Sequence, residues 1–390
     1  MPARIAFVST YPPRRCGIAT FTRDLAAASS AHEIVALERA DEVPRHPLEV
    51  HHRVRRDLVG DYAKAARALR ACRVDVVSIQ HEYGIWGADD GVRVLDFVAA
   101  LELPAVATLH TVLRHPTEPQ RRILSSLVRS VACTVVMSRS AAELLADRYD
   151  VGRSRIEVVP HGVPDIAYVD PGSAKHRVGL AGRRVMLSFG LLGPGKGYEL
   201  AIEAMPAIVA AAPDVCYVVL GATHPELLAR EGEAYRQRLT ARAAELGVAD
   251  HVRFVDRFVS TSELGRWLQA ADLFVTPYPN LEQIVSGTLT YAMAAGRTVV
   301  STPYAYALEL LAQGRGIIVP PASPTALASA VTALLDDPAR RAAIGRRAWE
   351  HTRPMIWPRV GAAYAALFEQ AARNPMSLAR QRVDRAVARV

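Results

Sequence analysis

Apolar residues in this chain come in short β-rich runs, separated by stretches in which they recur every three or four positions, which is the pattern of strands alternating with amphipathic helices. In the first half, strands are expected at 4–9, 33–37, 74–79, 105–109, 134–137 and 156–159, with helices near 17–29, 59–71, 89–101, 117–130 and 140–148. The second half repeats the style with strands at 185–190, 216–221, 252–255, 273–276, 298–301 and 316–319, each leading into a helix. Such alternation predicts the α/β class, as two Rossmann-like, doubly wound parallel sheets. The Gly/Pro-rich run Pro160-His-Gly-Val-Pro-Asp165 and the following Pro171-Gly-Ser mark the join. The expected division is a domain over 1–165, a linker over 166–182 and a second domain over 183–355. Beyond Pro354 and Pro358 a helix resumes at 360–372, and 377–390 is a basic, weakly amphipathic stretch. Packing on the first domain, lying on a membrane surface and fraying are all open to that tail.

Length and composition agree with two domains. The chain has 390 residues, half of them hydrophobic and 22% charged, and no apolar run approaches the ~18 residues of a membrane span. The N-terminus enters a strand without a signal-peptide core, so a cytoplasmic location is expected. Cys16, Cys72, Cys133 and Cys216 lie far apart with no CxxC, which points to free thiols rather than a zinc site or a disulfide framework. The net charge of +8 is partly clustered, in 45–56 and in the tail. Without interleaved aromatics or a nucleic-acid module, that excess reads as a solvated face or a peripheral contact with an anionic membrane, not as a nucleic-acid site.

Candidate chemistry sits at strand ends. In the stretch from Thr276 to Ser301 a strand leads to a Ser-Gly turn and a short helix. Ser286 is a good N-cap, Gly287 permits close backbone approach, and the free amides through Thr288 would offer an anion site. Gly190-Leu-Leu-Gly-Pro-Gly195-Lys196-Gly197 is a second phosphate-type loop between a strand and a helix. It nearly matches a Walker A loop, but Gly197 replaces the Ser or Thr that would hold Mg²⁺, and no Walker-B Asp follows. No Asp-x-Asp occurs in the sequence, so Lys196 and helix amides would neutralise a leaving diphosphate without a metal. In the first half, Gly17 opens a helix after strand one, while His110-Thr111 and His81-Glu82 end two other strands, placing polar groups on one rim.

Together these pieces resemble the family 4 glycosyltransferases, across nearly the whole chain. The match runs through Pro12-Pro13 to Gly17, His110, Val-Pro-His-Gly-Val at 159–163, the loop 190–197 and Ala-Asp-Leu-Phe-Val-Thr-Pro at 271–277. It continues through 292–302, Glu309 before Leu310-Leu311, and Gly-Ile-Ile-Val-Pro at 316–320. The resemblance implies a GT-B fold of two Rossmann-like domains facing across a cleft, the C-terminal helix (356–390) crossing back to complete the first. It implies retaining, metal-independent transfer of a hexosyl group from a nucleoside-diphosphate sugar to a sugar, glycan or lipid-linked acceptor, with no cofactor. By position, Gly17 lies beside the donor phosphates and acceptor, His110 near the donor sugar and Lys196 on the diphosphate. Glu309 marks the nucleotide-side loop. Two positions depart from the family pattern. Leu191 stands where an arginine is common, and the paired glutamates fall on Gln283 and Tyr291, with Glu282 one residue out of register. A GT-B-type epimerase or phosphorolytic enzyme, and a silent sugar-nucleotide binder, are the alternatives.

Overall fold

The computed structural model describes residues 2–29, 32–39 and 45–373, so the basic tail 377–390 lies outside the described residues. The chain divides into two compact units, one formed by residues 1–162 with the chain from Trp357 onward, the other by Val163–Ile356.

The first unit is built on the strands β1 (Ile5–Ser9), β2 (His32–Glu38), β3 (Val50–Arg55), β4 (Val76–His81), β5 (Ala105–Leu109), β6 (Cys133–Val136) and β7 (Ile156–Val158). They lie in the order β3-β2-β1-β4-β5-β6-β7, every neighbouring pair parallel. Because helices cover both faces, β1, β4 and β5 are buried along their whole length, as continuous apolar runs in a parallel sheet require. The helix Trp357–Arg373 belongs to this unit: Val360, Tyr364, Phe368 and Ala371 recur at helical spacing and are buried. Phe368 meets Phe7 of β1 edge-on at 5.9 Å, and the Tyr364 and Thr108 hydroxyls are 3.1 Å apart. Trp357 explains the glycine of the Val-Pro-His-Gly-Val run, since a Cβ on Gly162 would lie 2.4 Å from the indole ring.

β3 is a strand that the periodicity does not predict. It occupies the basic run, and as the edge of the sheet only Val54 is fully buried, so its alternation is masked by His51, His52, Arg53 and Arg55. Three of these side chains meet acidic partners: His51 lies 2.8 Å from Glu33, Arg53 3.9 Å from Glu38 and Arg55 2.7 Å from Asp61. Charged side chains on an outer strand also discourage edge-to-edge pairing.

The second unit carries β8 (Arg184–Phe189), β9 (Val215–Leu220), β10 (Val252–Val255), β11 (Leu273–Thr276), β12 (Thr298–Ser301) and β13 (Ile317–Ile318), in the order β10-β9-β8-β11-β12-β13, again all parallel. Successive residues feed opposite layers: Val185, Leu187, Cys216 and Val218 one, Met186, Tyr217 and Val219 the other. The stretch 166–182, expected as a linker, is instead part of this unit. Ile166 and Leu180 enter its core, Lys175 pairs with Asp272 at 2.7 Å, and the Tyr168 ring covers Gly296. Its Pro and Gly content suggested a connector, but its apolar residues are spaced to be buried.

Candidate functional site

In each sheet the strand order reverses once, and doubly wound sheets bind ligands beyond the carboxyl ends of the strands at that point. The reversal falls between β8 and β11 in the second unit and between β1 and β4 in the first.

In the second unit, Gly190 follows β8 directly, with φ +136, and residues Pro194–Lys196 form a single tight turn in which Gly195 is exposed. Gly197 takes φ +67, and a Cβ there would lie 2.0 Å from the Pro277 carbonyl oxygen. Only glycine lets the loop after β8 close on the loop after β11. That closure sets the Lys196 ammonium 4.5 Å from the centre of the Tyr278 ring. The Tyr278 hydroxyl lies 2.7 Å from Thr288 Oγ1, which is 3.1 Å from Ser286 Oγ. Ser286 Oγ accepts from the Leu289 amide at 3.3 Å and caps the helix Gly287–Ala294, as the sequence expects. The structure thus joins Gly190, Lys196, Ser286, Gly287 and Thr288 into one constellation, with a methyl on Gly190 placed 3.5 Å from Thr288 Cγ2. A lysine, two hydroxyls and the positive end of a helix make it suited to a phosphate-bearing ligand.

Other expected residues make contacts of their own. Gln283 donates to the Val285 carbonyl at 2.8 Å, and its own carbonyl accepts from the Tyr306 amide at 3.1 Å. Tyr291 is 7% exposed, in the buried middle of its helix, with its ring 6.3 Å from that of Phe189 at the end of β8. Glu309 is half-buried on the helix Ala305–Leu310, and its carbonyl accepts from Arg315 at 3.2 Å.

In the first unit, Gly17 is the first residue of the helix Gly17–Ala27, capped by Cys16 Sγ, which accepts from the Ala19 amide at 3.3 Å. A Cβ on Gly17 would meet nothing within 4 Å, so the fold itself leaves room there. His110 continues β5. Its Nε2 is 2.9 Å from Gln80 Oε1, and its ring stands perpendicular to that of Phe21, centroids 5.0 Å apart. Burial, with His161 and His81 nearby, lowers its pKa to about 3. The neighbouring His161 is lowered to about 4 by burial despite donating to the Gly162 carbonyl, so both rings are neutral near pH 7. Glu82 accepts from the Thr111 hydroxyl and the Tyr83 amide, and burial raises its carboxyl.

One expectation is corrected. His81 is not a rim group: its side chain is fully buried, and neither ring nitrogen has a hydrogen-bond partner among the described residues. It is the last residue of β4 and faces the core, whereas His110 lies one step past β5. Among the described residues, no three His, Cys, Asp or Glu side chains are grouped to hold a metal ion. The four cysteines are free, and no described helix is long and apolar enough to cross a membrane.

Residues 16–165 match the family described as Glycosyltransferase Family 4, and residues 183–337 match Glycosyl transferases group 1. The chain belongs to the family 4 glycosyltransferases. It is 28% identical over 291 residues to a D-inositol 3-phosphate glycosyltransferase of Corynebacterium glutamicum, covering 70% of this chain and 68% of that one. A D-inositol 3-phosphate glycosyltransferase of Salinispora tropica is 30% identical over 291 residues, 66% of this chain but only 57% of its own length. Among solved structures, Anabaena HepE in complex with UDP and glucose superposes with a TM-score of 0.77 at 18% identity, covering 94% of this chain and all of that one. Sucrose-phosphate synthase from Thermosynechococcus elongatus gives 0.75 at 18% identity over 94% and 98% of the two chains. At these identities the superpositions speak for the fold, which is GT-B. In this glycosyltransferase, sequence reasoning missed two residues, Tyr278 and Gln80. Both lie at strand carboxyl ends next to the reversal points, a signal available only once strand order is known.

Proposed function

We propose that this glycosyltransferase moves a hexosyl group, with retained anomeric configuration and without a metal, from a nucleoside-diphosphate sugar to a hydroxyl of a glycan or lipid-linked acceptor. The observation that carries the reading is the constellation of Lys196, Tyr278, Thr288 and Ser286 at the capped start of the helix Gly287–Ala294. In the reaction the bond from the anomeric carbon to the diphosphate oxygen breaks and a bond to the acceptor oxygen forms. The leaving diphosphate gains negative charge, and the acceptor proton passes to one of its oxygens. Lys196 and the helix amides meet that charge where a divalent cation would otherwise be needed. The favoured donor is a UDP-sugar, because HepE, which shares the fold, is known with UDP, glucose and UDP-glucose. The relatives' names place an inositol phosphate among the acceptors to be assayed. Arg53 and Arg55 keep half of their side-chain surface exposed on β3, which suits an acceptor presented at an anionic membrane surface on the cytoplasmic side.

The test is transfer from a panel of UDP-, GDP- and ADP-sugars in excess EDTA, with the anomeric proton of the product read by NMR. An α-linked product from an α-linked donor is expected. An inverted product, or turnover only after Mn²⁺ or Mg²⁺ is restored, would overturn the proposal.

A further inference from the structure

We propose that Gln80 is a positioning residue that holds His110 as the neutral Nε2–H tautomer, leaving Nδ1 as a hydrogen-bond acceptor for a hydroxyl of the sugar substrate. The proposal rests on the reading of His110 as a sugar-facing group. Gln80 is completely buried on β4, and its backbone is tied by the Trp86 indole, which donates to its carbonyl at 3.0 Å. Its side-chain nitrogen lies 3.1 Å from Ser78 Oγ, two residues earlier on the same face of the strand. An amide nitrogen only donates and an amide oxygen only accepts. With the nitrogen turned to Ser78, as the structure places it, the oxygen faces His110 at 2.9 Å, and Nε2 then carries the proton. The bond from the His110 amide to the His81 carbonyl, 2.9 Å, sets β5 against β4 at the height that brings the two side chains together.

Among the described residues no counter-charge acts on the ring. The groups that act on it are His161, from the segment after β7, and His81, from the end of β4, and burial keeps both neutral. From the helix Gly17–Ala27 the Phe21 ring stands perpendicular to the imidazole, and it in turn meets Trp357 of the C-terminal helix at 5.3 Å. A cationic His110 would therefore be buried without compensation, and the ring cannot serve the diphosphate as a positive charge. Nδ1 forms no hydrogen bond among the described residues, and His110 keeps 8% exposure at the carboxyl end of β5. A neutral imidazole fixed in this way accepts one hydroxyl and does so independently of pH across the physiological range.

The test is ¹⁵N-histidine labelling with long-range ¹H–¹⁵N correlation, the His110 signals being assigned by their loss in His110→Gln. The Nε2–H pattern is expected at pH 7 and unchanged at pH 5. Gln80→Leu should give mixed tautomers and a fall in kcat/KM for the donor of about tenfold, from the unpaired Nε2–H. Gln80→Glu should retain the tautomer but bring an acid limb into the kcat/KM profile above pH 5, because a carboxylate there favours the imidazolium. An Nδ1–H ring in the wild type, as a flipped Gln80 amide would produce, overturns the proposal. So does an unchanged tautomer in Gln80→Leu. Absence of transfer by the wild type with the expected tautomer in place would instead count against the function proposed for the enzyme.

Discussion

Acidification should unfold the first unit before the second, and His81→Leu should reduce that sensitivity. His81, His110 and His161 are buried with pKa values near 4, 3 and 4, against 6.5 for an exposed imidazole. The sign follows from linkage. Folded values lie below unfolded ones, so the preference for the folded state is complete above about pH 6.5 and is lost as pH falls toward 4, the unfolded chain taking up protons that the folded one refuses. At pH 5 each imidazole costs about 2 kcal/mol, and the three together about 6 kcal/mol at most, comparable with the whole stability of a domain. Glu82 works in the other direction: its raised carboxyl takes up a proton more readily when folded and offsets part of the loss as pH falls through its range. His81 isolates the effect because its side chain makes no hydrogen bond among the described residues. Leucine keeps the apolar packing, removes two orphaned nitrogens and, at pH 7, should leave stability unchanged or raise it by up to about 1–3 kcal/mol. Urea-dependent hydrogen exchange read by mass spectrometry at pH 7, 6 and 5 follows the two units separately. The expected result is a pH dependence of the first unit about one third shallower in His81→Leu. An identical dependence in variant and wild type would refute the reasoning.

Lys196→Ala should fold normally and lose about ten- to 150-fold in kcat/KM, the ~1.5–3 kcal/mol of a charge-assisted contact, as measured by steady-state kinetics. Activity should persist in excess EDTA, and complete loss rescued by Mn²⁺ would count against neutralisation by Lys196 and helix amides. Nucleotide affinity should fall in Glu309→Ala and less in Tyr291→Ala, since a phenol replaces the family's second glutamate and Tyr291 is largely buried; titration calorimetry with each variant checks this. Flotation with anionic liposomes should show salt-sensitive binding if Arg53 and Arg55 reach headgroups, and none would leave only a soluble acceptor.

Much of this architecture is legible in the sequence because parallel strands buried on both faces announce themselves as apolar runs, and β5, β10, β11 and β12 fall where the runs do. The cap at Ser286 and the closely spaced glycines 190, 195 and 197 are local devices, read from local chemistry. What stayed hidden depends on pairing. β3 shows little apolar alternation because it lies at an edge, and 166–182 reads as a linker because its burial is created by Asp272, Gly296 and the core it packs on. Tyr278 and Gln80 gain meaning only from neighbours brought by the reversal in strand order. The sequence also could not separate His81 from His110, which sit at adjacent strand ends but face different surroundings.

The central claim, a diphosphate site in the second unit, is tested most directly by isothermal titration of UDP and GDP against the wild-type protein and Lys196→Ala in the presence of EDTA. Saturable one-to-one binding of at least one of them without metal, weakened at least tenfold in Lys196→Ala, is the predicted result. No nucleoside-diphosphate binding by the wild type, or equal affinity in the variant, would contradict it.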